Sequence, residues 1–135
     1  MTVPVMSYIA AGSPLPMPGA EGWHQEPLDS VEVPAQMHRN KRDLYALRVK
    51  GQSMIDALID DGDMVVIEPV RMARNGDTVV AHLRIENEYT LKRFYHEGDR
   101  VRLQPANSTM EPIFTDPANV EVQGRVVGVM RVLKG

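Results

Sequence analysis

The stretch TVVAHLRIENEYTLKRF, residues 78–94, decides the fold. In each half, odd-numbered and even-numbered positions form two alternating sets of side chains. In the first half Val79, Ala81 and Leu83 alternate with Thr78, Val80 and His82. In the second half Tyr89, Leu91 and Arg93 alternate with Thr90, Lys92 and Phe94. Such alternation is typical of a strand that turns one face to the core. Glu86 and Asn87 separate the halves and predict the tip of a β-hairpin.

Similar short runs extend outward from this hairpin. We predict strands at residues 45–50 and 64–68, a strand that begins at Val101, and a last strand from about residue 120 to 132. Gly124 and Gly128 in the last run predict bulges or points of close approach. Only residues 53–59 look helical. The sequence therefore predicts a mostly β fold, a small barrel or sandwich with one short helix.

The first 40 residues differ from the rest in composition. They hold six of the ten prolines, and each proline fixes φ and removes an N–H donor. We predict that residues 1–40 form an extended, flexible arm with one or two short edge strands, and that residues 41–135 form the β core. The length of 135 residues is that of a single domain.

Charge and composition exclude several classes of function. The 15 Lys and Arg against 18 Asp and Glu give a net charge of −3, which argues against a nucleic-acid-binding module. With no cysteine, the chain has no disulfide, thiolate zinc site or cysteine nucleophile. Its apolar runs are too short to span a membrane and its first residues do not resemble a signal peptide. We therefore expect a cytoplasmic protein.

A serine lies where a predicted strand meets the short helix, in the run Gly51-Gln52-Ser53-Met54. A serine at such a junction can expose its hydroxyl as a nucleophile, with backbone N–H groups beside it to hold an oxyanion. It can equally be a helix N-cap, which is a common role for serine. The run alone favours the cap.

A nucleophilic serine needs a base. The four histidines show no spacing that pairs them with Ser53 or with a metal ion: His24, His38, His82 and His96. Lys92 is the other candidate, provided that burial lowers its pKa enough for it to accept a proton. The alternation alone favours an ordinary solvated lysine on a strand.

The run from Tyr8 to Pro14 is extended and apolar and ends in small residues. Small residues allow a close approach of the backbone, so this run could enter a protease cleft as a substrate. An edge strand that ends at a turn fits its composition equally well.

In this order along the chain, these runs resemble the LexA-type family of self-cleaving repressors. The resemblance covers about residues 4–133 and is carried by Ala11-Gly12, Gly51-Gln52-Ser53-Met54, Asp61-Gly62-Asp63, Arg74-Asn75-Gly76-Asp77, Thr90-Leu91-Lys92-Arg93, Leu103-Gln104-Pro105-Ala106-Asn107-Ser108 and Gly124-Arg125-Val126-Val127-Gly128-Val129. It implies the C-terminal fold of that family, a small, twisted and barrel-like β-sheet that is also signal-peptidase-like.

The resemblance further implies a serine peptidase that cleaves its own chain as part of the SOS response to DNA damage. Ser53 is then the nucleophile, Lys92 the general base, and Ala11–Gly12 the scissile bond, with backbone N–H groups at Gln52 and Ser53 as the oxyanion hole. An activated RecA filament on single-stranded DNA is the implied partner, and no cofactor or metal is implied. A homodimer is implied through the C-terminal strand, at Val126, Val127, Gly128, Val129 and Met130.

The chain also departs from this family. The winged helix-turn-helix of the repressors has no counterpart before Ala11, so we expect no direct DNA binding by this chain. The 41 positions from Gly12 to Ser53 exceed the expected spacing, with extra residues at about 16–23. Two alternatives stay open: a UmuD-like accessory protein of a translesion polymerase, and a non-catalytic dimerisation module.

Overall fold

The computed structural model describes residues 1–10, 29–41, 43–51 and 53–131. Its strands are β1 (Thr2–Ala10), β2 (Asp29–Glu32), β3 (Tyr45–Lys50), β4 (Met64–Glu68), β5 (Thr78–Leu83), β6 (Glu88–Glu97), β7 (Arg100–Gln104), β8 (Ile113–Thr115) and β9 (Val120–Met130). One short α-helix, α1 (Ala35–His38), and two 3-10 helices, Ile55–Ala57 and Pro117–Asn119, complete the described elements. The predicted mostly β fold is confirmed. The helical pattern at 53–59 becomes the first 3-10 helix, and α1, β2 and β8 were not placed by the sequence.

The strands form one mixed sheet in the order β2-β1-β3-β4-β9-β5-β6-β7-β8. Only the β1–β3 pair is parallel among the described pairs. β1 and β6 are five places apart in this order, a separation of about 24 Å in a flat sheet. Residues of the two strands nevertheless approach within 8 Å between Cα atoms. The sheet therefore curls on itself, as the barrel-like expectation required.

Three apolar clusters fill the two faces of the curled sheet. Along β3 and β4 the faces alternate, because Leu47 and Val65 enter one cluster while Ala46 and Val66 enter another. We call the first of these the site cluster, and its buried members are Ile9, Leu47, Val49, Met54, Ile59, Val65, Ile67, Val80, Tyr89, Leu91 and Ala106. A third cluster lies between β5, β6, β7 and β9. Burial on both faces explains why the first four residues of β4, 64–67, are all apolar.

The first 40 residues contain one short edge strand, β2, as expected, whereas β1 lies inside the sheet. It pairs with β2 at residues 2–5 and with β3 from Val5 to Ala10, so it lies one place inside the sheet. Val3, Val5 and Ile9 are buried. Pro4 is tolerated because at that position β1 has a paired neighbour on one side only, and a missing N–H then disturbs a single ladder.

β9 is bulged at the two glycines that the sequence singled out. Its register shifts against β4 between Gly128 and Val126, and against β5 between Gly124 and Val122. A Cβ atom at Gly124 would meet Ile67 Cγ2 and would lie 2.9 Å from a backbone oxygen. Both predicted roles, bulge and close approach, are confirmed. In the described ranges no helix is long and apolar enough to cross a membrane.

Candidate active site

Ser53 lies in the turn that joins β3 to the 3-10 helix Ile55–Ala57. Gly51 begins the turn with φ of 101°, a conformation that glycine adopts without strain. Ser53 is fully buried, and its Oγ has no hydrogen-bond partner within the described residues. The N-cap of the 3-10 helix is Met54, without a side-chain cap. The helix-cap interpretation of Ser53 is therefore wrong.

The next turn of the chain holds the end of β3 in place. The carboxylate of Asp61 accepts a hydrogen bond from Gly51 N–H at 2.8 Å. Val49 is bonded at both backbone groups: its N–H donates to Asp63 O and its C=O accepts from Gly62 N–H, each at 2.8 Å. The Asp61-Gly62-Asp63 run therefore fixes the strand end from which Ser53 follows.

The loop after β7 holds the Ser53 turn from the other side. Asp56 N–H donates to Ala106 O at 2.7 Å, and Ala106 N–H lies 3.4 Å from Met54 Sδ. Ser108 N–H donates to the Asp56 carboxylate at 3.1 Å. Residues 103–108 contributed to the family resemblance, but no role was predicted for them. Their role is to fasten the turn to the end of β7, and no local pattern announces a contact between residues 52 positions apart.

Lys92 lies in the middle of β6, paired with Val79 of β5, and is 1% exposed. Its Nζ donates a hydrogen bond to Thr90 Oγ1 at 2.7 Å. Burial lowers the pKa of Lys92 to about 8, because a desolvated ammonium is disfavoured relative to the neutral amine. The interpretation as a solvated strand lysine is therefore wrong. Alternation could not decide it, since Leu91 and Phe94 are buried on opposite faces of β6.

Packing brings the Ser53 turn and the Lys92 strand to the same part of the core. Met54 and Leu91, the chain neighbours of Ser53 and Lys92, both belong to the site cluster. Arg93 also pairs with Gln104, where the loop that bonds the Ser53 turn begins. Ile9 of β1 joins the same cluster. Three segments far apart in sequence therefore converge around one apolar centre.

The predicted scissile bond and part of the predicted oxyanion hole lie outside the described residues. These positions are Ala11, Gly12 and Gln52. The last described residue before the bond, Ala10, pairs with Lys50, three positions before Ser53.

The predicted dimer stretch is paired on one side within the described residues. β4 pairs with residues 125–130 of β9, whereas β5 pairs only with residues 120–125. The second edge of Val126, Val127, Gly128, Val129 and Met130 therefore faces no described strand. Val129 is 36% exposed.

The histidines are placed away from catalytic roles in the described part of the chain. His82 stacks on Tyr89 with ring centroids 4.4 Å apart, and its ring nitrogens lie 3.3 Å from Glu121 Oε1 and 3.0 Å from Asn87 Oδ1. His38 ends α1 and His96 is exposed. Among the described residues no group of three His, Asp or Glu side chains could hold a metal ion.

Comparison with known proteins agrees with the resemblance found in the sequence. The model of the family "Peptidase S24-like" matches residues 4–127. The chain is 56% identical over 133 residues to the LexA repressor of Herpetosiphon aurantiacus, covering 97% of this chain and 61% of that protein. It is 51% identical over 131 residues to the LexA repressor of Roseiflexus sp. and 45% identical over 130 residues to that of Clostridium kluyveri, covering 96% of this chain and 59% of each.

The similarity is therefore to one part of these relatives. The chain spans about three fifths of the length of the curated relatives that it matches. The family match, in contrast, extends over most of the chain and includes both Ser53 and Lys92. This chain belongs to the Peptidase S24-like family.

Proposed function

We propose that this chain is the C-terminal self-cleaving and dimerising domain of a LexA-type transcriptional repressor. Ser53 is the nucleophile, Lys92 the general base, and Ala11–Gly12 the bond that is cut. One observation carries the proposal: a buried serine hydroxyl without a hydrogen-bond partner in the described residues lies on a turn packed into the same cluster as the strand of a buried lysine. An unsatisfied buried hydroxyl costs free energy, and a catalytic role is one of the reasons for which proteins keep such a group.

The proposed reaction is an acyl transfer within the chain. Neutral Lys92 accepts the Ser53 proton while Oγ attacks the Ala11 carbonyl carbon, and backbone N–H groups at Gln52 and Ser53 stabilise the oxyanion. The ammonium of Lys92 then donates its proton to the leaving amine of Gly12. Water hydrolyses the Ala11 ester and restores Ser53, with Lys92 again as the base.

Burial gives Lys92 the ionisation that this role requires. With a pKa of about 8, about one molecule in ten carries a neutral Lys92 at pH 7. An unshifted lysine would be neutral in only about one molecule in several thousand. Thr90 Oγ1, at 2.7 Å from Nζ, holds the amine in a fixed position.

Chain connectivity supports the choice of bond. Ala10 and Lys50 are neighbours across the β1–β3 pair, and Ala11 follows Ala10 by about 3.8 Å between Cα atoms. Ser53 is three residues beyond Lys50. A substrate tethered this closely reacts at a high effective concentration, so a modest catalyst is sufficient.

Partners and location belong to the same proposal. The open edge at Val126 to Met130 supports a homodimer that pairs these strands, since long apolar edges otherwise cause aggregation. The similarity to LexA repressors supports an activated RecA filament as the stimulating partner, in the cytoplasm and in the SOS response. The net charge of −3 supports the absence of direct DNA binding by these residues.

Intact mass after incubation across pH 6 to 10 tests the proposal. We expect the parent chain to split between Ala11 and Gly12, at a rate that rises about tenfold per pH unit below the pKa of about 8 and levels off above it, because only neutral Lys92 accepts the proton. Ser53→Ala and Lys92→Met should stay intact at every pH. Activated RecA filaments should accelerate the cut of the parent at neutral pH.

The controls separate self-cleavage by Ser53 from a non-catalytic dimerisation module. Cleavage that persists in Ser53→Ala would contradict the assigned nucleophile. An intact parent at every pH, with and without the filament, would favour a non-catalytic dimerisation module. Thr109→Ala changes an exposed hydroxyl in the loop after β7 and should cleave as the parent does.

A further inference from the structure

Arg131, the residue after β9, binds the two ends of one loop. Its Nε donates to Asp63 Oδ1 at 2.7 Å and its Nη2 donates to Asp63 Oδ2 at 2.8 Å. The same Nη2 lies 3.4 Å from the carbonyl oxygen of Leu58. Leu58 and Asp63 are the first and last residues of the turn that follows the 3-10 helix. One guanidinium therefore spans the whole turn.

Asp63 is the rigid end of this contact. The residue is 1% exposed, and its carboxylate also accepts a hydrogen bond from Asp60 N–H at 2.8 Å. The hydrogen bonds from Arg131 are the main cause that lowers the pKa of the Asp63 carboxyl below its ordinary range. A bidentate pair between a guanidinium and a buried carboxylate fixes both distance and orientation.

The turn that Arg131 spans is bonded to both neighbours of the Ser53 segment. Gly51 N–H donates to the Asp61 carboxylate at 2.8 Å on one side of Ser53. On the other side, Ile59 N–H donates to Met54 O at 3.1 Å. Ser53 Oγ itself has no hydrogen-bond partner in the described part of the chain. Backbone anchors on either side therefore set the position of this hydroxyl.

Leu58 shows that the turn is held against a local cost. It adopts φ of 62°, in the left-handed region, and its side chain is 81% exposed. A non-glycine residue in this region is strained by about 1 kcal/mol or more. Leu58 buries little to offset that strain, so contacts such as the one from Arg131 to its carbonyl oxygen keep the turn in place.

We propose that Arg131 is a positioning residue for Ser53, which it holds in place by clamping the turn from Leu58 to Asp63. This inference rests on the proposed self-cleavage. Within the described ranges Arg131 donates its hydrogen bonds to Asp63 and Leu58 and not to Lys92. It acts through Asp63 and Leu58 on the backbone bonds of Gly51 and Met54. Because Arg131 directly follows the stretch proposed to dimerise, the clamp also joins that strand to the nucleophile.

Ser53→Cys supplies a readout that does not depend on cleavage, since the chain has no cysteine of its own. Alkylation of the single thiol by iodoacetamide, followed by intact mass, reports how often the buried side chain becomes accessible. With Arg131→Gln we expect alkylation at least about fivefold faster, because the open form of the turn gains population. Arg131→Lys keeps the positive charge but cannot donate the two parallel hydrogen bonds of the guanidinium to Asp63, so it should give an intermediate alkylation rate.

Arg125→Gln is the matched control. Arg125 also lies on β9 and pairs with carboxylates, those of Glu68 and Asp77, and its ion pairs with described residues do not include the Ser53 turn. It should leave the alkylation rate unchanged. In the chain with Ser53 intact, Arg131→Gln should lower the cleavage rate above pH 9 by about tenfold, since a misplaced nucleophile reacts slowly, with no change in the pH midpoint. Arg125→Gln should cleave as the parent does.

The inference would be overturned if Ser53→Cys were alkylated at the same rate alone, with Arg131→Gln and with Arg125→Gln. So would a cleavage rate above pH 9 that is the same in Arg131→Gln and in the parent. All measurements are made well below the melting temperature of each variant, so loss of the fold does not enter. If the parent itself never cleaves, the proposed function fails, and the alkylation series still decides the role of Arg131.

Discussion

A lysine ammonium inside a β-sheet core opposes folding, because the unfolded chain hydrates the charge and the core does not. For Lys92 the pKa falls from its ordinary value of 10.5 to about 8 on folding. The unfolded chain therefore binds this proton more tightly, and the penalty is about 3 kcal/mol at neutral pH. It is complete below pH 8 and disappears as the pH rises towards 10.5. The same shift supplies the neutral amine that the proposed reaction needs.

Lys92→Met should therefore raise the free energy of unfolding by about 2 kcal/mol at pH 7, after allowance for the lost bond to Thr90. Urea unfolding of Ser53→Ala, with and without Lys92→Met, measures the difference in chains that do not cut themselves. The advantage of methionine should shrink between pH 8 and pH 10. A difference that is constant with pH would contradict a buried ammonium.

Ionisation of Tyr45 ends this rise in stability at high pH. Burial raises the pKa of its hydroxyl, so the unfolded chain loses that proton first as the pH increases beyond 10. Unfolding is then favoured by ionisation of Tyr45 while it is no longer favoured by protonation of Lys92. We expect the stability of Ser53→Ala to be highest at about pH 10 and to decline above it.

Sequence patterns identified Ser53 and Lys92 as candidates but left both assignments open. Alternation predicts neither the burial of Lys92 nor the lack of a partner for the Ser53 hydroxyl among the residues that the structure describes, because both depend on neighbours from other strands. Arg131 and Asp56 carried no signal, since their partners lie 68 and 52 positions away. Residue roles of this kind arise from tertiary contacts alone.

At the scale of elements, the two glycines of β9 differ in what their neighbours can do. A Cβ at Gly128 would meet the Sδ of Met37 and lie 2.8 Å from its Cε, which are atoms of a flexible side chain. A Cβ at Gly124 would lie 2.9 Å from the backbone oxygen of Glu68. The backbone at Glu68 cannot move aside as the side chain of Met37 can. An added methyl group should therefore destabilise the fold more at Gly124 than at Gly128.

Gly128→Ala and Gly124→Ala should each be destabilising, by about 1 and about 3 kcal/mol respectively. Met37→Ala should offset most of the cost of Gly128→Ala and none of that of Gly124→Ala. Chemical denaturation of the single and double variants, read as double-mutant cycles, measures the coupling. Equal coupling of Met37 to both glycines would show that the close approach at Gly128 is not the cause.

The open edge of β9 gives a second prediction at this scale. Val129→Asp should convert the proposed dimer to a monomer, because a symmetric pairing brings the two carboxylates together without a counter-charge. Light scattering should then give the 15.1 kDa chain mass instead of twice that value. Met72→Asp, at a residue that is 86% exposed in the β4–β5 loop, should remain dimeric. A monomeric parent would refute the dimer.

Most strands were predictable because alternation with period two is local. The hairpin of β5 and β6 was found this way, whereas the bulges of β9 were predicted from its two glycines. The expected short edge strand in the first 40 residues is β2, whereas the interior position of β1 was not predicted because the prolines were weighed without knowledge of where the pairing with β3 begins. β2 and β8 are only four and three residues long and α1 is four, too short to show a period.

At the scale of the whole molecule, the curl of the sheet places β1 against β6 and so gathers Ile9, Met54 and Leu91 into the site cluster. No local pattern contains this convergence. Most of the pairs that approach within 8 Å are long-range, which makes the fold dependent on distant pairings. The family resemblance implied that the segments of Ser53, Lys92 and the first strand act together, whereas composition and alternation predicted only the fold class.

The position of β1 inside the sheet determines what the proposed cut would leave behind. The piece before Gly12 would contain all of β1, with Val3, Val5 and Ile9 in the core and neighbours on both sides. Hydrolysis of one peptide bond would sever the covalent connection without removing these contacts. The product is then a nicked protein of two polypeptide pieces, which the pairing of β1 with β2 and β3 holds together without a covalent bond.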